Sequence, residues 1–176
     1  AELRLGNIQS FPFIDPPDGR LVRDGYRLLE ELGAIKGRNL TAIGKQLARF
    51  PLDPRLGRML LRAGELDCLQ EILVIVSALA VQDPRERPVE FQQQADQAHQ
   101  PWQDKESDFL SFLHLWQWAD EERQALSRNQ YEKQLRKRFL APNRMREWRD
   151  AHRQLKLLCR EMKIPENENP GTYEAM

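Results

Sequence analysis

Apolar residues recur at helical spacing along most of this chain, and prolines, glycines and capping residues separate the segments. The first segment follows the helix-entry signal Asp15-Pro16-Pro17 and ends at Gly33, which suits a left-handed helix cap. Residues 34–35 predict a short strand, residues 36–39 a turn, and Leu40 the returning strand. Thr41 is a candidate N-cap for a second, short helix.

The order helix, small β turn, helix over residues 15–50 is the pattern of a winged-helix unit. The stretch that follows it separates this unit from a longer helical array. Pro51 cannot continue the preceding helix. Asp53 can cap the next one, and Pro54 fits its first turn, where a missing N–H costs nothing. We therefore place a boundary between residues 50 and 51.

The array after this boundary is predicted to be a helical bundle. A helix over residues 54–64 precedes one over residues 68–81, for which Asp67 is a candidate cap. The second of these is apolar on nearly all sides, so it is predicted to be the enclosed central helix. Residues 89–107 are polar and rich in glutamine, which predicts a surface helix or loop.

Three further helices are predicted over residues 108–122, 127–140 and 143–162. Trp116 and Trp148 occupy apolar helical positions, which favours a place in the core over a role in stacking against bases. Residues 164–176 contain two prolines and a glycine without periodicity, so we expect an extended or loose tail. The predicted fold class is mainly α.

A net charge of zero hides a strong segregation of charge along the chain. Residues 65–108 carry three Lys/Arg and ten Asp/Glu, whereas residues 121–163 carry thirteen Lys/Arg and six Asp/Glu. In the basic third, Arg146, Arg149 and Arg153 recur at i, i+3 and i+7 and are expected to share one helix face. The candidate nucleic-acid-binding residues there are Arg136, Lys137, Arg138, Asn143, Arg144, Arg146, Arg149 and Arg153.

Motifs for chemistry are missing from this sequence. It has no GxxxxGK[ST] or GxGxxG phosphate loop, no HExxH, and no clustered Cys/His spacing. His99, His114 and His152 are isolated from one another and are expected to be ordinary helix residues. We expect no catalytic site, cofactor site or metal site in this chain.

Two cysteines, Cys68 and Cys159, lie in apolar helical contexts and are predicted to be buried, reduced thiols, which fits a cytoplasmic protein. The longest apolar run, Ile72 to Val81, is too short to span a bilayer, so no membrane is expected as a partner. The chain opens without a start methionine, and we expect it to be a segment of a longer protein.

Four segments in the first 60 residues resemble one family in order and spacing. They are Phe13-Ile14-Asp15-Pro16-Pro17, Leu28-Leu29-Glu30-Glu31-Leu32-Gly33-Ala34, Leu40-Thr41-Ala42-Ile43-Gly44-Lys45-Gln46-Leu47-Ala48 and Phe50-Pro51-Leu52-Asp53-Pro54-Arg55-Leu56. The family is that of the DEAH-box RNA helicases, in their winged-helix and helicase-associated region. The sequence of residues 77–88 is most similar to that of the bacterial, HrpA-type branch. The resemblance extends from about Leu5 to Ile164.

This resemblance implies a small winged-helix unit packed on a helical ratchet-like bundle. Residues 1–14 would form an extended arm from a preceding motor domain, residues 15–50 the winged helix, and residues 51–163 the ratchet-like bundle. Residues 164–176 would lead towards an oligonucleotide-binding fold domain. Two RecA-like motor domains of the parent chain would bind ATP and Mg and hydrolyse ATP. Arg87, with residues 143–149, lies in segments that match those approaching RNA in this family.

The resemblance implies that this chain is an accessory region that lines a channel for single-stranded RNA and couples to the motor domains. Two alternatives stay open. The basic helices could instead dock a protein, with the acidic segment over residues 65–108 binding a basic partner. A free-standing transcription factor is disfavoured for two reasons: the wing is small, and the second helix offers only Lys45 and Arg49 for reading a groove.

Overall fold

A computed structural model describes residues 11–37 and 39–172 of the chain. The first ten residues of the predicted arm, Arg38 of the predicted turn and residues 173–176 of the tail lie outside this part. The described residues form eight α-helices and one two-stranded antiparallel sheet, so the mainly α prediction is confirmed. Contacts divide the chain between Leu61 and Arg62 into two compact units.

The first unit has the element order of a winged helix. Helix α1 (Gly19–Glu31) leads to strands β1 (Ile35–Lys36) and β2 (Asn39–Leu40), then to α2 (Ala42–Leu47) and the start of α3 (Pro54–Glu65). The two strands pair Ile35 with Leu40 and Lys36 with Asn39. Gly33 (φ 70°) ends α1 and Gly37 (φ 61°) lies in the turn, both in the left-handed region that favours glycine.

The caps of these helices follow from short side chains at the expected places, with one correction. Thr41 caps α2 as predicted, because its hydroxyl accepts the Gly44 N–H at 3.0 Å. Asp53 accepts the Arg55 N–H at 2.8 Å at the start of α3. Helix α1, however, begins after Asp18, whose carboxylate accepts the Arg20 N–H at 2.7 Å, and not directly after residues 15–17.

The second unit is built around α4 (Leu69–Leu79). It continues through a 3-10 turn (Val89–Phe91), α5 (Gln92–His99), another 3-10 turn (Gln100–Trp102), α6 (Asp108–Ala125), α7 (Arg128–Lys137) and α8 (Pro142–Glu161). Eight of the eleven α4 residues are buried, which confirms the predicted central helix. Helix α4 packs against α6 and α8.

The core of this unit gathers side chains from α4, α6, α7 and α8. Trp148 on α8 is fully buried and its ring meets those of Phe112 and Trp116 at centroid distances of 5.9 and 5.0 Å. The predicted core position of Trp148 is thus confirmed, and Trp116 is half-buried beside it. Both cysteines are buried, as predicted, and burial raises the pKa of the Cys159 thiol to about 11.

Two expectations for this unit are wrong. Residues 89–107 are not purely a surface segment, because Ala95, His99 and Trp102 are buried and the Trp102 ring lies 4.7 Å from that of Trp118. The sequence prediction missed these three positions because six glutamines dominate the composition of the segment. Asp67 also does not cap α4, since it adopts φ 57° and Cys68 takes the N-cap position, where its side chain makes no capping hydrogen bond to α4.

The tail over residues 164–172 is irregular, as expected, but it is not loose. Asn167 is buried, and its side-chain oxygen accepts the Gln70 N–H at 2.8 Å. Its amide donates to Glu71 Oε2 at 3.0 Å, and the Gly171 N–H donates to Glu71 Oε1 at 2.9 Å. The start of α4 has unsatisfied N–H groups that the tail helps to satisfy, which is why a sequence without periodicity is held in place.

Candidate nucleic-acid interface

A pocket of about 310 Å³ opens in the second unit where the end of α6, the start of α7 and the start of α8 meet. A capping box between Ser127 and Gln130 starts α7 there, and Pro142 occupies the first turn of α8. These starts bring together residues from three helices. The lining residues are Arg123, Leu126, Arg128, Tyr131, Glu132, Leu135, Pro142, Met145, Arg146 and Arg149.

Four guanidinium groups and a single carboxylate line this pocket, which gives it a positive character. The carboxylate, Glu132, lies 3.4 Å from Arg128 and 3.7 Å from Arg146. Those two arginine side chains remain 79% and 56% exposed. Exposed ion pairs of this length contribute little to stability, so the guanidinium groups remain available to an anion in solvent.

Arg149 forms the inner wall of the pocket and is mostly buried, with 19% of its side chain exposed. Its Nη1 donates to Asp120 Oδ1 at 3.0 Å, and its guanidinium lies 4.9 Å from the centroid of the Trp116 ring. Burial by itself would raise the pKa of Asp120, but hydrogen bonds from Arg149 and Gln124 outweigh it and lower that pKa.

Buried donors at this wall are incompletely satisfied by the described residues. Nε and Nη2 of Arg149 have no well-aligned acceptor, and the Tyr131 hydroxyl, which accepts from Arg149, has no acceptor for its own proton. Burial raises the pKa of Tyr131, against the charge of Arg149 and the hydrogen bond from Arg149, which both lower it. A buried donor without an acceptor is rare in folded proteins and is often explained by a ligand, an ion or a water molecule.

The predicted interface residues do not all come together. Arg146 and Arg149 line the pocket, and Arg136 lies on α7 with an ion pair to Glu132 at 3.4 Å. Lys137 and Asn143 are exposed, with no side-chain partner among the described residues. They flank the turn between α7 and α8. Arg138 caps α7 and its carbonyl lies 3.0 Å from His99 Nε2.

The other three predicted arginines contact neighbouring parts of the same unit. Arg87 makes a two-pronged pair with Asp96 at 2.7 Å, and hydrogen bonding from Arg87 lowers the pKa of Asp96. Arg144 donates to the backbone carbonyl of Asp83 at 3.2 Å.

Arg153 pairs with Asp150 at 2.8 Å and does not line the pocket. Its spacing from Arg146 placed it on a shared helix face, but the pocket reaches only the first two turns of α8. The residues that sequence reasoning did not single out are Arg123, Arg128 and Tyr131. For the two arginines the sequence offered one indication, since Arg123 and Arg128 lie on either side of the helix break at Leu126-Ser127. For Tyr131 it offered none.

No group of three His, Cys, Asp or Glu side chains within residues 11–37 and 39–172 is arranged to hold a metal ion. In the same part of the chain, no helix has both the length and the apolar character needed to cross a membrane.

Two family models match this chain, one after the other. Residues 25–52 match the helicase associated domain (HA2), winged-helix, and residues 53–156 match the helicase associated domain (HA2), ratchet-like. The chain belongs to the HA2 helicase-associated family. The winged-helix and ratchet-like predictions are therefore confirmed, and the whole pocket lies within the ratchet-like match of HA2.

Known proteins that contain a similar HA2 region are RNA helicases by name. The chain is 47% identical, over 98% of its length, to the ATP-dependent RNA helicase HrpA homolog of Haemophilus influenzae. It is 46% identical, over 97% of its length, to the ATP-dependent RNA helicase HrpA of Escherichia coli. Over 64% of its length it is 33% identical to the pre-mRNA-splicing factor ATP-dependent RNA helicase prp22 of Schizosaccharomyces pombe.

The chain spans only a small part of each of these relatives. It covers 14% of the length of each bacterial helicase and 10% of prp22. The similarity thus identifies the HA2 region of DEAH-box RNA helicases, as the sequence resemblance indicated.

Proposed function

We propose that this HA2 chain forms one wall of the path that single-stranded RNA follows through an ATP-dependent RNA helicase. The observation that carries the proposal is the convergence of Arg123, Arg128, Arg146 and Arg149 on one pocket of the ratchet-like unit. Arginine recognises phosphate through a planar fork of donors, and such contacts dominate the affinity of proteins for nucleic acids.

The exposed cations near the pocket extend this surface along α7. Arg136 and Lys137 lie on the last turn of α7, and Asn143 lies on the first turn of α8. Arg128 lies at the opposite end of α7, about 14 Å from Lys137 at 1.5 Å per residue. A strand lying along α7 would meet cations at both ends, which suits contacts to the backbone that do not depend on base sequence.

The parent enzyme, in this proposal, supplies the parts that perform chemistry. Two RecA-like motor domains would bind ATP with Mg and hydrolyse it, and an oligonucleotide-binding fold domain would complete the RNA path. The HA2 chain itself would hold the strand and transmit movement of the motor domains to it. The names of the bacterial relatives support ATP use and action on RNA, and the proposal includes a cytoplasmic location.

The test measures binding of a fluorescein-labelled single-stranded RNA by anisotropy at several salt concentrations. The double variant Arg128→Gln/Arg146→Gln removes two exposed pocket cations. We expect its plot of log affinity against log salt to be shallower by about 1.4, because each phosphate contact to a single strand contributes about 0.7. Lys105→Gln is the control, since Lys105 is an exposed cation of the same unit that neither lines the pocket nor lies on α7.

A double variant that keeps the wild-type affinity and salt dependence would contradict the proposal. A control variant that weakens RNA binding as much as the double variant would also contradict it, because the loss of any surface cation would then have the same effect. Isolated walls of a multidomain channel bind weakly, so the measurement starts at low salt.

A protein-binding role is the second candidate, and one observation favours it. Arg87 and Arg144 direct their guanidinium groups to Asp96 and to the carbonyl of Asp83, both in the acidic segment of residues 65–108. These two arginines therefore serve the unit's own structure. If the chain binds no RNA at low salt, the protein-binding role takes the place of the first proposal.

A further inference from the structure

The inner wall of the arginine-lined pocket has hydrogen-bond donors that the chain itself does not satisfy. Arg149 carries five N–H donors in a fixed fork, and its acceptors among the described residues are Asp120 and the hydroxyl oxygen of Tyr131 on the facing helix α7, which leaves other donors of the fork unsatisfied. The Tyr131 hydroxyl has no acceptor for its own proton. Leaving buried donors unpaired costs roughly 1–3 kcal/mol each, and more where the group is charged.

We infer that this pocket is a seat for one phosphate group. The inference rests on the proposed function for the source of that phosphate, but not for the chemistry of the site. A phosphate offers several acceptor oxygens and one or two negative charges. An acceptor that enters the pocket would first meet the exposed guanidinium groups of Arg128 and Arg146. The donors of Tyr131 and Arg149 are closed to solvent, so they would pair with it after those side chains rotate.

The charges of the site match such a ligand. The lining holds four arginines and Glu132, and Asp120 lies directly behind Arg149 and Arg123. The two carboxylates leave a net charge of about +2 on the wall, counted from residues with ordinary protonation at pH 7. This positive excess attracts a phosphate and repels a cationic ligand.

The pocket has an apolar side that suits what is attached to the phosphate. Its apolar lining residues are Leu126, Leu135, Pro142 and Met145. A volume of about 310 Å³ is at the small end of ligand pockets, and it exceeds what a single water molecule occupies. Phosphate oxygens would face the arginines while a sugar or other organic group lies along the apolar side. Both an RNA backbone and a free phosphate compound share this chemistry.

The experiment follows thermal unfolding of the intact chain in rising concentrations of sodium phosphate, with sodium chloride at matched ionic strength as reference. A ligand that binds only the folded state stabilises it by RT ln(1 + [L]/Kd), so the unfolding midpoint rises with ligand concentration. We expect phosphate to raise the midpoint more than chloride does. Arg146→Gln is expected to weaken phosphate binding about tenfold, the effect of one lost charge-assisted hydrogen bond.

Tyr131→Phe separates a ligand site from a structural role. Without phosphate, the variant is expected to unfold near the wild-type temperature, because the hydroxyl it removes makes one hydrogen bond, from Arg149, and leaves its own proton without an acceptor. With phosphate, its midpoint is expected to rise less, with affinity about fivefold weaker. Lys133→Gln, on the same helix but outside the pocket, should respond to phosphate as the wild type does.

The outcomes distinguish this inference from the proposed function. A midpoint that responds equally to phosphate and chloride, or equally in all variants, overturns the phosphate seat, whatever the RNA measurement gives. If phosphate binds as expected, a 5′-hydroxyl single-stranded RNA that competes with it identifies the RNA backbone as the source. If such an RNA binds elsewhere or not at all, the pocket remains a binding site for a small phosphate compound. The proposal that RNA passes along this pocket is then contradicted.

Discussion

The indole N–H of Trp148 on α8 donates to the Ser77 hydroxyl on α4 at 3.0 Å, and both residues are fully buried. The same N–H lies 3.1 Å from the Val74 carbonyl, to which the Ser77 hydroxyl also donates at 2.9 Å. A buried indole N–H needs an acceptor, and this pair provides it. The bond thereby fixes how the central helix meets the helix that carries Arg146 and Arg149.

We expect Trp148→Phe to destabilise the second unit by about 3 kcal/mol, because it opens a void in a packed core. Ser77→Ala is expected to cost only about 1 kcal/mol, since the Val74 carbonyl still accepts from the indole. Unfolding in urea, followed by tryptophan fluorescence and circular dichroism, measures both. Equal costs for the two variants would show that packing around Trp148 is not the larger contribution.

The tail gives a second prediction, with a matched control two residues away. Asn167→Ala removes three side-chain hydrogen bonds, to the Gln70 N–H, Glu71 and the Asn169 carbonyl, and is expected to cost about 2 kcal/mol. Asn169→Ala should be nearly neutral, because Asn169 is exposed and contributes only its backbone carbonyl. Urea unfolding compares them, and a neutral Asn167→Ala would mean that the tail does not stabilise α4.

Two helical glycines predict opposite effects of the same substitution in the first unit. A Cβ on Gly44 would lie 1.9 Å from the Ala34 carbonyl oxygen, so Gly44→Ala forces the β turn away from α2. We expect it to destabilise the unit by several kcal/mol, on the order of 3. Gly25, in α1, has nothing within 4 Å of an added Cβ, and Gly25→Ala should stabilise by about 1 kcal/mol.

Thermal unfolding of these two glycine variants provides the measurement. A Gly44→Ala protein that unfolds at the wild-type temperature would contradict the close approach of α2 to the strand that begins after Ala34.

His152 makes the stability of the second unit depend on pH. Burial, then the charges of Lys156 and Arg149, lower its pKa from 6.5 to about 4, and its ring lies 4.7 Å from that of Trp116. Between those pH values the unfolded chain binds a proton that the folded chain does not. Stability is therefore complete above pH 6.5 and falls as the pH drops towards 4, by about 3 kcal/mol in total.

Urea unfolding at pH 7, 5.5 and 4.5 tests this dependence. His152→Phe keeps a ring against Trp116 and removes the titrating group, so its stability should fall less over the same range. A variant with the wild-type pH dependence would assign the loss to other groups, such as Glu166, whose pKa is lowered by hydrogen bonding from Lys156.

Prediction from sequence succeeded where one short segment contains the whole cause. Thr41 and Asp53 cap helices because their side chains reach N–H groups two or three residues away. The all-round apolar pattern of α4 likewise required an enclosed helix. Asp67 failed as a cap because it adopts a left-handed conformation in the turn that ends α3, where the Cys68 N–H donates to the Ala63 carbonyl at 3.1 Å.

The candidate site was only half predictable for the same reason. Arg146 and Arg149 were selected from one helix, but Arg123, Arg128 and Tyr131 join them only because α6, α7 and α8 meet at their ends. Arg87 and Arg144 were selected by the same charge argument and proved to serve contacts within the unit. Charge along a sequence does not reveal which carboxylate or carbonyl faces each guanidinium.

The sequence alone determined the mainly α class, the winged-helix order, the central helix and the family, because these depend on local spacing and on residues adjacent in the chain. The tertiary structure decided which arginines share a pocket, which are used internally, and how a tail without periodicity is held by Asn167. Those outcomes depend on contacts between segments as far apart as Gln70 and Asn167, and no local pattern encodes such pairings.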